Sequence, residues 1–379
     1  MLRCITNITI TQNATKDFPK RKLVLYFNFI NTFDAESNWK NLTNKGSISL
    51  PKKIYYRDYY SNKLLPLDKN LGGFSGPDPY FLKGDAIEIA YGYNYFNKAG
   101  NEITSVTSCF KGFIVKVGAK TPFTLDLEDN MYILKQKPAP TKLFKKTIPL
   151  KTIITELVAG TGFTVKCIGD NFIGDFNTSS TETVAQVLEK LRKDYRLESY
   201  FRGNELRVGI LVYDEEEAIK REQQQKKKFT FSGLDANIIS DELEYSRKDD
   251  VKLCAKCYSI NKKELDKTTR DGHKKTKNER LEVIVGVEGG ESRTLYFWNV
   301  TSKDKLKELG EAELKKYFYD GFRGSFTTFA IPFVQTGDNI ELVDPVLPER
   351  GGRYRVKEVE YSGGVDGHRQ KITIDYKLP

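Results

Sequence analysis

A six-residue phrase written twice constrains this chain more than any other feature of its sequence. Gly84-Asp85-Ala86-Ile87-Glu88-Ile89 returns as Gly337-Asp338-Asn339-Ile340-Glu341-Leu342. After each copy comes a second alternating run, Gly112-Phe113-Ile114-Val115-Lys116-Val117 in the first and Tyr354-Arg355-Val356-Lys357-Glu358-Val359 in the second. A third follows in the same order, Thr124-Leu125-Asp126-Leu127 and then Ile372-Thr373-Ile374-Asp375-Tyr376. Apolar and polar residues alternating with period two, bounded by Gly, Pro and Asp, specify half-buried antiparallel strands. The copies lie too far apart for a solenoid, whose repeats run roughly 20–50 residues. The pattern predicts one β-module duplicated within the chain, with other structure between the copies.

The remaining sequence fills in that frame. A chain of 379 residues exceeds one ordinary core, so two to four domains are expected. Residues 1–138 read almost wholly as strands and turns, including Cys4 to Ile10, Leu23 to Ile30 and Gly46 to Leu50, with a Gly- and Pro-rich loop at Gly72 to Pro79. Lys135 to Pro140 reads as a linker. Pro149 then opens a short helix carrying Ile153, Ile154, Leu157 and Val158 and ended by Gly160. Ser179-Ser180-Thr181-Glu182 reads as a capping box for a helix with Val184, Val187, Leu188, Leu191 and Tyr195 on one face. A hairpin turning at Gly203-Asn204 completes a small α/β domain over 139–213.

Residues 214–228 are a charge run that reads as an exposed helix or linker, with Glu216–Lys220, Glu217–Arg221 and Glu222–Lys226 each four apart. From Phe229 to the end strands return, interrupted by a charged loop at Lys262 to Arg280 and by one helix after Thr301-Ser302-Lys303-Asp304, read as a second capping box. The fold class expected is mainly β with an α+β insertion: two β-barrel-like modules at 1–138 and 229–379 around the small domain.

Catalytic chemistry is not evident. His273 and His368 both sit in charged, Gly-containing stretches and read as exposed loop residues. Cys254-Ala255-Lys256-Cys257 lies on an alternating strand, where residues three apart face opposite ways, and no second ligand pair accompanies it. The carboxylates Asp126, Glu128 and Asp129 gather at a strand end, as they do around solvated turns. Gly286, Gly289 and Gly290 read as a hairpin turn and not as a phosphate-binding loop. No catalytic, cofactor or metal site is assigned, and the protein is not expected to be an enzyme.

Composition restricts the partners. Net charge is +10 and the pI about 9.0, which permits polyanion binding, but both signs are interspersed, as suits solubility. Five cysteines form no disulfide framework, consistent with folding in a reducing cytosol. Met1 to Thr6 lacks the apolar run of a signal peptide, and no stretch approaches the roughly 18 apolar residues of a membrane span.

The order of parts resembles the baseplate hub proteins of contractile-tailed phages, including the late control protein D type, and is similar to the N-terminal part of type VI secretion spike proteins. The resemblance is carried by Gly112 to Val117 with Asp126 to Leu134, by Thr183 to Gly209, by Asn237 to Tyr245, and by the run from Gly321 to Tyr376. It covers most of the chain, and the order of the blocks is more specific than any one of them. The Gln- and Lys-rich run and the Tyr- and Pro-rich stretch at 51–83 depart from the family pattern. The resemblance implies a homotrimer in which six related modules form a pseudo-hexameric ring, mated to a hexameric tail tube on one face and to a separate spike protein on the other, among other baseplate proteins. It places the protein in the tail of a phage or prophage, after synthesis in the host cytoplasm. No membrane insertion and no specific nucleic-acid binding are expected. The alternative is a carbohydrate- or nucleic-acid-binding β-protein, suggested by the aromatic content of 12% and the basic charge; a tail-associated hydrolase has only the acidic cluster in its favour.

Overall fold

Strand alternation dominates the first third of the chain. The computed structural model describes residues 2–51, 55–58, 60–67, 79–96, 99–118, 122–145, 147–168, 175–195, 197–209, 214–268, 274–298, 300 and 302–379. Strands β1 (Leu2–Thr11), β2 (Val24–Phe27), β3 (Thr32–Asn38), β4 (Lys45–Leu50), β5 (Tyr55–Asp58), β6 (Leu64–Pro66), β7 (Ala86–Phe96), β8 (Glu102–Val117) and β9 (Phe123–Asp129) follow one another. On β9 the inward positions are Phe123, Leu125, Leu127 and finally Asp129, so the period of two holds and its last step is a carboxylate.

The stretch read as a linker is partly helical. Helix α1 (Met131–Gln136) takes in Lys135 and Gln136 and buries Met131, Tyr132 and Leu134. Asp129 starts it by accepting the Met131 N–H at 3.0 Å. Six residues are too few to show a helical period, which is why the sequence pattern does not reveal it. The Gly72 to Asp78 part of the expected loop lies outside the described residues.

The small α/β unit comprises β10 (Lys142–Phe144), α2 (Leu150–Val158), β11 (Thr164–Ile168), β12 (Phe176–Thr178), α3 (Val184–Tyr195), β13 (Glu198–Arg202) and β14 (Glu205–Gly209). β14 pairs antiparallel with β13 and parallel with β11. Both helices bury the residues their periodicity marks, except that Tyr195 at the end of α3 is half-buried, and a separate cluster around Leu150, Ile154, Leu188 and Leu206 forms the core. The helix start differs from expectation. Thr183 Oγ1 accepts the Gln186 N–H while Gln186 Oε1 accepts the Thr183 N–H, so the capping box is Thr183–Gln186 and not Ser179–Glu182.

The rest of the chain is α4 (Glu215–Gln224), β15 (Lys228–Thr230), β16 (Ile238–Ser246), β17 (Leu253–Thr268), β18 (Lys274–Gly286), β19 (Glu291–Trp298), α5 (Lys303–Lys315), β20 (Gly321–Thr328), β21 (Asn339–Val343), β22 (Gly352–Gly364) and β23 (Arg369–Lys377). Strands β17, β18 and β19 form their own sheet in the order β18-β17-β19 and pack with α5 around Leu253, Ala255, Cys257, Leu306 and Leu314. Two expectations are corrected there. The charged stretch from Lys262 is strand, paired as far as Thr268↔Lys274, with 269–273 outside the described residues. The glycines at 286–290 do not turn a hairpin, because β17 lies between β18 and β19. The chain steps around the start of β17, with Glu291 N–H donating to Lys252 O. A Cβ on Gly290 would come within 2.6 Å of that same carbonyl. Thr301 lies outside the described residues, and Ser302 caps α5 without a side-chain hydrogen bond.

The two β-modules share one architecture. The order in the first is β7-β8-β9-β4-β3, and in the second β21-β22-β23-β20-β16. Register agrees as well: Ala86 faces Phe113 as Asn339 faces Arg355, and Val117 faces Leu125 as Val359 faces Ile372. Even the irregularity is repeated, between Ile114 and Lys116 and between Val356 and Glu358. The fold is mainly β, as expected. Among the described residues, however, the modules do not close into barrels. β22 pairs with β3, fusing both copies into a single 15-stranded sheet that does not close among the described residues. One hydrophobic cluster runs through both copies, from Ile8 and Leu25 to Ile372 and Ile374.

Candidate functional site at the repeated turns and the module joint

The repeated Gly-Asp phrase folds into the same turn twice, atom for atom. Gly84 N–H donates to Ile114 O at 2.8 Å and Gly337 N–H to Val356 O at 2.9 Å. Ile114 and Val356 return the bond, donating to Asp85 O and Asp338 O, both at 2.9 Å. Each aspartate then closes its own turn: Leu82 N–H donates to Asp85 Oδ2 and Gln335 N–H to Asp338 Oδ2, both at 2.8 Å. Glycine is required because φ is +95° at Gly84 and +82° at Gly337, in the left-handed region. Both carboxylates are buried, Asp85 fully and Asp338 to within 1%.

A carboxylate without water needs a cation. Asp85 has Arg21, bidentate at 2.8 and 2.5 Å. Asp338 has Lys227 and the Arg221 Nε at 2.7 Å. Burial alone would raise the Asp338 carboxyl; Lys227, Arg221 and Arg202 outweigh it and hold it below the usual range.

Arg221 belongs to α4, the charge run read from sequence as an exposed helix or linker. It is a helix, capped by Asp214, whose Oδ1 accepts the Glu217 N–H at 3.0 Å. Its polar face is not simply solvated. Glu217 accepts from Arg202 at 2.8 Å, from Arg207 at 2.7 Å, from Lys166 at 2.8 Å, and from Arg221 on its own helix. Burial would raise the Glu217 carboxyl, but Lys166, Arg207, Arg202 and Arg221 bring it down to about 2. Glu222 takes Arg353 at 2.7 and 2.9 Å and Asn339 at 2.7 Å, and Glu215 takes Arg355. Arg202 also donates to Thr336 O, beside the second Gly-Asp turn. Helix α4 is thus a clasp that ties β11, β13 and β14 of the α/β unit to the second module. On the other side the same unit holds the first module, through Arg192 to Lys40 O at 2.6 Å and Asn130 to Gly203 O at 2.8 Å.

At the joint itself, β22 residues Glu358 to Gly364 pair with β3 residues Asn38 to Thr32. Tyr361 stacks on Phe333 at 5.4 Å and meets Tyr91 of the first module edge-on at 5.9 Å. His368, read as an exposed loop residue, is fully buried here. Its ring bridges Thr6 Oγ1 at 2.9 Å and Gly92 O at 3.0 Å, and the Tyr93 hydroxyl donates to its carbonyl at 2.7 Å. Burial lowers its pKa, aided by Arg369 and opposed by the Gly92 bond. Its Gly-containing loop suggested exposure because only the tertiary joint covers it. His273 lies outside the described residues.

The other sequence candidates do not converge. Asp126 is half exposed beside Lys116, and Glu128 pairs with Lys135 at 2.9 Å. Asp129 is buried, where burial pushes its carboxyl up to about 7 despite hydrogen bonds from Asn44 and Met131. Cys254 and Cys257 are free thiols on a strand, the first partly exposed and the second buried against α5. Among the described residues no three metal-ligating side chains cluster, and no helix is long and apolar enough to cross a membrane. The polar side chains that do gather pair mainly with one another, an arrangement that holds segments together.

Solved structures share this architecture end to end. A tail protein from Neisseria meningitidis MC58 superimposes with a TM-score of 0.55 over 99% of this chain and 96% of its own, at 13% identity. The chain has the fold of that tail protein. The 43 kDa tail protein of prophage MuSo2 from Shewanella oneidensis has the same fold, with a TM-score of 0.52, 98% of each chain covered and 11% identity. So does a chain of a Francisella PdpA–VgrG complex, at a TM-score of 0.51 and 11% identity, with all of this chain matched to 58% of that one. No family model and no curated protein matches the sequence. The tail-protein fold is therefore visible in backbone geometry at sequence identities where little else is shared.

Proposed function

We propose that this protein is a structural component of a phage or prophage tail, the trimeric baseplate hub that joins the hexameric tail tube to the central spike. The observation that carries the reading is the duplicated module. Two copies with one strand order, one register and one Gly-Asp turn are joined edge to edge in a single chain. Three such chains supply six related modules, which lets a trimer meet a six-fold partner on one side and a three-fold partner on the other. The likeness to tail proteins and to a chain of a PdpA–VgrG complex supports this assignment. The division of labour follows the sequence: tube modules over 1–138 and 229–379, a bracing α/β domain over 139–213, and a clasp over 214–228. The ion network in which α4 ties the α/β unit to the second module supports a structural role.

The test is the mass of the purified chain by light scattering behind a sizing column, over a range of concentrations. Assemblies near three times 43.4 kDa that form rings by electron microscopy are expected. A monomer at every concentration that binds polyanions or glycans saturably would replace the hub with a binding protein.

A further inference from the structure

The module joint inside the chain contains a template for a joint between chains. Within the chain, the outer edge of β22 receives β3. The duplication makes β22 the counterpart of β8, and β3 the counterpart of β16. The correspondence is fixed by register: Phe33 faces Ile48 as Asp241 faces Phe326, and Ala35 faces Gly46 as Leu243 faces Gly324. One joint therefore uses the second copy's β22 and the first copy's β3. The complementary pair, the first copy's β8 and the second copy's β16, is unused within the chain.

Both members of that unused pair are open. β16 terminates the sheet and pairs with β20 alone among the described residues. Its Leu243 N–H turns to the Asp241 carboxylate of its own strand, at 3.4 Å. Its burial contrasts with that of its counterpart: β3 buries Phe33, Ala35 and Asn38, whereas β16 leaves Ile239 43% and Tyr245 36% exposed. On β8, pairing with β7 ends at Phe113, while Lys116 and Val117 pair only with β9. Charge suits the match, since Glu244 of β16 would lie diagonal to Lys116, which is 75% exposed. The nine-residue unpaired edge of β16 is a template for another strand unless something covers it, and the end of β8 is short.

We propose that β16 of one chain pairs antiparallel with the end of β8 of a second copy, in the register of the internal joint. Asn38↔Glu358 then becomes Ser246↔Lys116, and Ser37↔Val359 becomes Tyr245↔Val117. The contact is heterologous, each chain giving β16 to one neighbour and taking β16 from the other on β8, so it makes no two-fold dimer and closes into a ring when the rotation between neighbours is a third of a turn, as the trimer reading requires. The proposal rests on the ring reading above and names the surfaces that make it.

Cysteine cross-linking tests it in the full chain, in a Cys4→Ser background that removes the exposed native thiol. The double variants Tyr245→Cys/Val117→Cys and Ser246→Cys/Lys116→Cys are oxidised mildly, and the mass of each is also measured under reducing conditions to confirm folding and assembly. A thiol-reversible covalent trimer from at least one double variant is expected, with each single variant remaining one chain on a denaturing gel. Trimers by light scattering that neither pair cross-links would overturn the β8–β16 joint and leave the hub reading intact. Tyr245→Cys alone linking chains in twos would replace it with a β16–β16 contact. A monomer at every concentration would sink both readings.

Discussion

Asp338 shows how a single side chain can be legible in sequence and still be misjudged. The Gly-Asp phrase predicts a turn, and the turn is there, but the carboxylate is sealed with Lys227 and Arg221 against it. Removing one partner of a buried pair leaves the other uncompensated, which costs about 3–5 kcal/mol. Asp338→Asn and, in the first copy, Asp85→Asn should each lower stability by that amount in urea unfolding; a loss below about 1 kcal/mol would mean the pairs are not confined as described. Glu217 gives a pH signature. Its folded pKa of about 2 lies below the ordinary value of 4.5, so its stabilisation is present above pH 4.5 and is lost as the pH falls from 4.5 toward 2. Solvent screening at a carboxylate about a quarter exposed holds the effect to about 1–2 kcal/mol. Glu217→Gln should therefore be less stable than the parent at neutral pH and should show a shallower acid limb in denaturation measured from pH 6 to 2.

Among the elements, the helices separate what period can reveal from what it cannot. The faces of α2 and α3 follow directly from apolar spacing, because both are long enough to repeat. Their ends are harder, since Ser, Thr, Glu and Gln crowd the approach to α3 and several pairings satisfy the capping pattern. The structure selects Thr183 with Gln186. Thr183→Ala should cost about 1 kcal/mol and Ser179→Ala only a few tenths, measured as shifts in urea midpoint. Helix α4 carries the opposite lesson. Of its three expected i,i+4 pairs, Glu217–Arg221 forms, but both of its members spend most of their contacts on other segments. The same place in each β-copy docks a helix by different means: Phe113 stacks on Tyr132 of α1 at 5.2 Å, and its counterpart Arg355 reaches Glu215 of α4.

For the whole molecule, the shared core means that the two β-modules should not unfold separately. Tyr91, Phe333, Tyr361 and His368 interlock across the joint, and β22 is hydrogen-bonded to β3 along its outer half. Hydrogen exchange followed by mass spectrometry should show Phe123 to Asp129 and Arg369 to Lys377 losing protection at the same denaturant concentration. Separate midpoints would show that the joint is weaker than the modules it connects. Tyr361→Ala, which removes the ring at the centre of that contact, should cost about 3–5 kcal/mol and lower both together.

Local information in the sequence determined a good deal: the strands through alternation, the long helices through their apolar stripes, and the duplication through three runs in the same order with the same Gly-Asp opening. Those features depend on residues near one another along the chain, so they survive without knowledge of the fold. Burial of His368, the partners of α4, the step around β17 and the fusion of two modules into one sheet depend on segments far apart in sequence. His368 lies 362 residues from the Thr6 hydroxyl it bonds, and Arg355 lies 140 from Glu215. Alternation says that a strand has two faces and two edges; only the tertiary structure decides what lies against each, because edge pairing is made by backbone groups that every residue carries alike.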